Sequence, residues 1–205
     1  MLPDTVVAQT AWYVAGHAVM RAVLGYPFRS VTVEPQQLEE GLIVIGGVDA
    51  FIDVTARTKE FGPSWVTFER IIMALAGWTA LVTMEGAGPV TGETALGRDH
   101  VAFMIDEQLV LRNVQVLADL HEYGDASDIY AISTDTARGI LRLLSIRAAI
   151  GAVAQALRDH RTLEGHEAIA VMITVIGEAD VHHARQMISD SFAAVSRSHA
   201  TEEGG

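Results

Sequence analysis

The sequence predicts a mainly α domain that carries a small β-hairpin, and three observations lead there. Apolar residues recur at helical spacing through most of the chain. Two short segments alternate with a period of two instead. Half of the 205 residues are apolar and 20% are charged, a balance that belongs to a folded chain able to bury one good core.

The first helix runs from Thr5 to Leu24, with Pro3 and Asp4 as start signals and Gly25 as the stop. SVTVE, from Ser30 to Glu34, and LIVIGGV, from Leu42 to Val48, read as two strands flanking the connection QQLEEG. After Gly62 and Pro63 a helix is predicted from Ser64 to Met84, and the glycine-rich stretch EGAGPVTGETALG breaks it. The next helix spans Arg98 to Leu117. Beyond the polar stretch HEYGDASD, one long helix capped near Ser133 or Thr134 is expected to reach His160. RTLEGHEAIAVMI reads as a turn and N-terminal cap leading into a further helix, and EADVHHARQMISDSFAAV as a final amphipathic one. The expected organisation is a main domain over residues 1–175, an appended helix over 176–198 and a flexible tail over 199–205.

Composition narrows the function classes. The formal net charge is −12, and Lys59 is the only lysine among 14 basic residues, which argues against nucleic acid or anionic membrane as partners. Cysteine is absent, so thiolate zinc sites and cysteine nucleophiles are excluded, and any metal would need His and carboxylate ligands. The apolar stretch from Ile71 to Met84 is shorter than the roughly twenty residues of a membrane span and reads as a buried core helix. MLPDTVVAQTAW lacks the pattern of a secretory signal, so a cytoplasmic location is expected.

The segment TAWYVAGHAVMRAVLG, Thr10 to Gly25, resembles the HEAGHA signature of the FtsH-type zinc metallopeptidases, with the match at Ala15, Gly16, His17 and Ala18. In such a motif two His at i and i+4 share one helical face and grip zinc, while the intervening Glu activates the bound water. Here Tyr13 stands at the first His position and Val14 at the Glu position. SVTVEP is similar to the strand that follows the zinc helix in single-domain relatives. ALAGWTALV is similar to the family's small-residue helix, but Leu81 and Val82 stand where that helix has acids. ALGRDHVAF resembles the segment that supplies the third zinc ligand, which places that ligand at Asp99. IRAAIGAVAQALRDHRTLEGHEAIAVM resembles the closing helix pair, so the likeness covers residues 8–172. No Walker motif accompanies it: GAGPVTGET has Glu93 where a phosphate-binding lysine is required.

The resemblance therefore implies an FtsH-type peptidase-like helical fold whose activity has decayed. A catalytic zinc needs three protein ligands and an open position, and only His17 and Asp99 are carried over, with no base at Val14. An active zinc protease is not expected. No cofactor is expected either, and zinc is the ion that a retained site would take. One reading makes His17 and Asp99 a hydrogen-bonded core pair in a non-proteolytic binding or regulatory protein that holds a peptide or protein partner. The alternative is a repurposed enzyme in which Tyr13, His17 and Asp99, with His100 adjacent, act without metal on a small molecule or modified peptide.

Other candidates carry less. His182 and His183 are adjacent on a helix and diverge by about 100 degrees, which suits solvent better than one ligand. His166 and Glu167 read as a helix start. Trp12, Trp65 and Trp78 fall on predicted helices as core or interface anchors, and a homodimer is the expected assembly.

Overall fold

The computed structural model describes residues 4–37, 43–50, 54–83, 101–120 and 123–198. At its centre lies α1 (Asp4–Leu24), whose Ala11, Val14, Ala15, Ala18, Val19 and Met20 are all fully buried. A helix enclosed on most sides needs small residues where neighbours cross closely. A Cβ on Gly16 would stand 2.6 Å from Cβ of Ala80 and 2.7 Å from the Ala76 carbonyl oxygen, so glycine there sets the approach of α1 to α3 (Pro63–Thr83).

The chain is mainly helical with a small antiparallel sheet, as the patterning predicts. The two predicted strands form, as β1 (Ser30–Gln37) and β2 (Ile43–Asp49), with Ser30 opposite Asp49 and Val31 opposite Val48. A third strand, β3 (Thr162–Glu164), joins the other edge of β1 in the order β2-β1-β3. In the sequence this stretch shows only the signals of a turn, because three residues are too few to show alternation. Val31, Val33 and Leu163 turn into the core from the sheet.

A further helix outside the sequence expectations, α2 (Val54–Phe61), precedes α3. It is tied down by Arg57, which donates to both carboxylate oxygens of Glu69 on α3, at 2.7 and 3.2 Å, and to the Leu24 carbonyl at 2.9 Å. The Tyr26 hydroxyl also donates to Glu69, at 2.6 Å, so this carboxylate, 1% exposed, is fully partnered. Taken singly, α3 is the one described helix long and apolar enough to cross a membrane, and 67% of that window is buried inside the fold. Phe68, Ile71, Ile72 and Leu81 place it in the core.

The single helix expected to run on to His160 is instead two, α5 (Ala126–Leu141) and α6 (Leu144–His160), bent by 78° at their junction. Ser133 and Thr134 are not caps but lie within α5. Its cap is Asp125, whose carboxylate accepts from the Asp128 amide at 2.9 Å. No proline marks the break, and Gly139 in the last turn of α5 stays within the helix without a positive φ. It follows from packing: Ile140 and Leu141 before it and Ile146 after it are all fully buried, while Leu144 at the corner is 85% exposed. A straight helix could not turn all three inward.

Downstream, α7 (Gly165–Ile173) starts on a capping box formed by Glu164 and Glu167. The last helix, α8 (Glu178–Ser198), packs on α5 and sends Ala184, Ile188 and Val195 into the same core. Between α3 and α5 lies α4 (Val101–Ala118), which buries Val110, Val114 and Leu117 and completes the layer from which the site is built.

Candidate functional site

Residues four apart on a helix stand one above the other, and α1 uses this spacing to place Tyr13, His17 and Arg21 along one face. The rings of Tyr13 and His17 meet edge to face, with centroids 4.8 Å apart. Asp106 on α4 faces them. The Tyr13 hydroxyl donates to Oδ2 of Asp106, and Nε2 of His17 lies 2.9 Å from the same oxygen. On its other side the imidazole places Nδ1 at 2.8 Å from the Met73 carbonyl of α3. One carboxylate oxygen thus joins α1 to α4, and one imidazole joins both to α3.

The donor and acceptor roles follow from the partners. A carbonyl can only accept, so Nδ1 of His17 carries a proton and donates to Met73. If Nε2 were bare, its lone pair would face a carboxylate oxygen at 2.9 Å. A proton therefore occupies the contact between Nε2 of His17 and Oδ2 of Asp106 and bridges the two side chains. Burial, reinforced by the charge of Asp106 and the hydrogen bond to it, pushes the Tyr13 phenol well above its ordinary range. Tyr13 is a donor at neutral pH. Further along the same face, burial lowers the Arg21 guanidinium from its ordinary value, and Tyr26 and Asp106 offset part of that. Its Nη1 is buried without a partner among the described residues.

Beside this network a cleft of about 370 Å³ opens between α3, α4 and α5. Ala74, Leu75 and Val110 supply its apolar lining, Trp78 and Tyr130 its aromatic lining, and Asp106 and Glu107 its charge. Asp106 belongs to both features. Its side chain is 19% exposed and that of His17 14%, so the pair is sheltered but reachable.

Of the residues expected to form the site, Tyr13 and His17 are brought together, while Asp99 and His100 lie outside the described residues. Asp106 was not anticipated. A signal for it existed: it falls on the stripe of α4 that continues through Val110, Val114 and Leu117, and an acid on a buried stripe needs a partner. Val14, at the general-base position of the resemblance, is fully buried. Leu81 is buried and Val82 is 47% exposed. No group of three or more His, Asp or Glu suited to a metal ion occurs among the described residues. His182 and His183 are both exposed on α8, and Glu167 accepts from the Glu164 amide at 2.8 Å in the cap of α7. Trp12 and Trp78 pack on Leu81, and Trp65 packs edge to face on Phe192.

Comparison with protein-family models and with curated proteins finds no match for this chain.

Proposed function

We propose that the chain is a non-proteolytic binding protein on a peptidase-like helical scaffold, holding a peptide or protein partner in the cleft beside Asp106. The observation that carries this reading is the hydrogen-bonded closure of Tyr13, His17 and Asp106. Zinc would need lone pairs directed at one point. Here the Tyr13 hydroxyl spends its proton on Asp106, and both imidazole nitrogens of His17 are engaged. These residues do not fit the ion. A protonated bridge joins α1 and α4 in its place, and Val14 supplies no base for activating water. The mainly apolar cleft with a few polar groups has the character of a recognition site.

The test is elemental analysis of the purified protein together with an assay on a fluorogenic casein substrate, for the wild type and His17→Ala. Sub-stoichiometric metal and no hydrolysis are expected in both. Stoichiometric zinc, or cleavage that disappears in His17→Ala, would overturn the reading.

A second reading rests on one specific feature: a phenol donor and a protonated His–Asp pair lie beside a cleft that Asp106 lines. These groups could exchange protons with a small molecule or modified peptide without metal. Turnover lost in Tyr13→Phe, with the fold intact, would favour it.

A further inference from the structure

We infer that the cleft between α3, α4 and α5 takes a guanidinium group, the arginine side chain of a peptide whose neighbouring residues are apolar. The inference rests on the binding reading above and names the chemistry of the partner.

Three features of the cleft converge on a cation. Asp106 receives its two hydrogen bonds on Oδ2, from Tyr13 and His17, and Oδ1 has no hydrogen bond among the described residues. Asp106 lines the cleft, so its carboxylate borders the space that a ligand would enter. Next to it Glu107 is exposed, and no basic side chain lines the cleft among the described residues. Among the described residues no ion pair engages Glu107.

The aromatic lining supplies the second element. Trp78 is braced against Leu81 and Tyr130 comes from α5, so two aromatic rings border a space that also holds two carboxyl groups. Aromatic faces attract a cation through the ring quadrupole, and tryptophan does so best. A flat, weakly hydrated guanidinium stacks on such a ring while donating to carboxylates, which a compact and strongly hydrated ammonium does less well. Ala74, Leu75 and Val110 then meet the methylene stem and the apolar neighbours of the arginine. The net charge of −12 on the chain favours approach of a basic partner.

The probe is a capped peptide with a central arginine between two leucines, compared by calorimetric titration with its citrulline isostere, which keeps the shape and loses the charge. Wild-type protein should bind the arginine peptide about tenfold more tightly, the step that a cation–π contact and a carboxylate bond supply together. Glu107→Gln should remove most of that preference, because Glu107 is exposed and its change leaves the fold in place. Trp78→Leu, checked for folding by circular dichroism, should weaken the arginine peptide more than the citrulline one. Equal binding of the two peptides would overturn the cation site while leaving the binding reading intact. Saturable binding of neither would overturn it as well. Free arginine amide binding as tightly as the peptide would overturn the assignment to a peptide. The metal and hydrolysis assay is independent of all these outcomes, so failure of the binding reading is recognised separately.

Discussion

The imidazole of His17 fills the space that a side chain on Gly77 would need: a Cβ built there would overlap the ring around Nε2. The glycine on α3 is therefore part of the site on α1. It gives His17 room to reach the Met73 carbonyl and Asp106 together.

Gly77→Ala should displace the ring and destabilise the protein by about 1–3 kcal/mol, the usual cost of overpacking a filled site. Because the three atoms nearest that methyl all belong to the His17 ring, its cost depends on that side chain. In the His17→Ala background the same Gly77→Ala change should be close to neutral. Urea midpoints of the two single variants and the double variant measure this coupling. Strict additivity would show that the ring does not occupy this position.

Asp106 and Glu107 are adjacent acids on one helix with opposite surroundings. Asp106→Asn breaks a sheltered bridge to two partners and should cost about 1–3 kcal/mol. Glu107→Gln, at an exposed position, should stay within about 0.5 kcal/mol of wild type. Thermal and urea unfolding of both variants check the contrast, and the ¹⁵N shifts of the His17 ring should move only in Asp106→Asn. Equal effects would deny Asp106 its bridging role.

The contrast between these two acids also separates what the sequence makes legible from what it hides. Tyr13 and His17 are four residues apart on a strongly patterned helix, so their meeting can be read from spacing alone. Their partner comes from a helix about ninety positions away, and only packing selects which acid arrives. The resemblance points to Asp99, whereas the periodicity of α4, followed one turn back from Val110, points to Asp106. The helix break at Leu143 is hidden for a related reason. The apolar pattern continues across it with no proline, Gly139 before it is an ordinary helical residue, and the demand to bury Ile140, Leu141 and Ile146 together appears only in three dimensions. The β1–β2 hairpin is legible because alternation is local; β3 is not, because its burial depends on β1.

Tyr13 gives a pH dependence with a definite sign. Burial and Asp106 raise its folded-state pKa, so the folded protein retains a proton that the unfolded chain releases near pH 10. The stabilisation is complete below that value and is lost as pH rises from about 10 toward the folded-state value. Per group, the loss is up to about 1.4 kcal/mol for each pH unit in that window. Tyr26 adds to it in the same direction, raised by burial and then by its bond to Glu69. Urea unfolding followed from neutral to strongly alkaline pH should show a steep loss in wild type and a shallower one in Tyr13→Phe. Identical slopes would mean that Tyr13 ionises as an ordinary phenol.

Arg57 and Glu69 form a pair that is unequal in exposure, with side chains 22% and 1% exposed, and the inequality fixes the order of their substitutions. Arg57→Met leaves a buried carboxylate with, among the described residues, the Tyr26 hydroxyl as its remaining donor, and should cost about 3 kcal/mol, toward the low end for breaking a buried pair. Glu69→Gln leaves a cation that can turn toward water and keeps an acceptor for Tyr26, so about 1–2 kcal/mol is expected, nearer the loss of a charged hydrogen bond. Adding Glu69→Gln to Arg57→Met should restore part of the stability, because the uncompensated charge is then removed. Denaturant midpoints for the three variants decide the matter. A double variant less stable than Arg57→Met alone would mean that Glu69 stabilises the junction of α2 and α3 through contacts other than its charge.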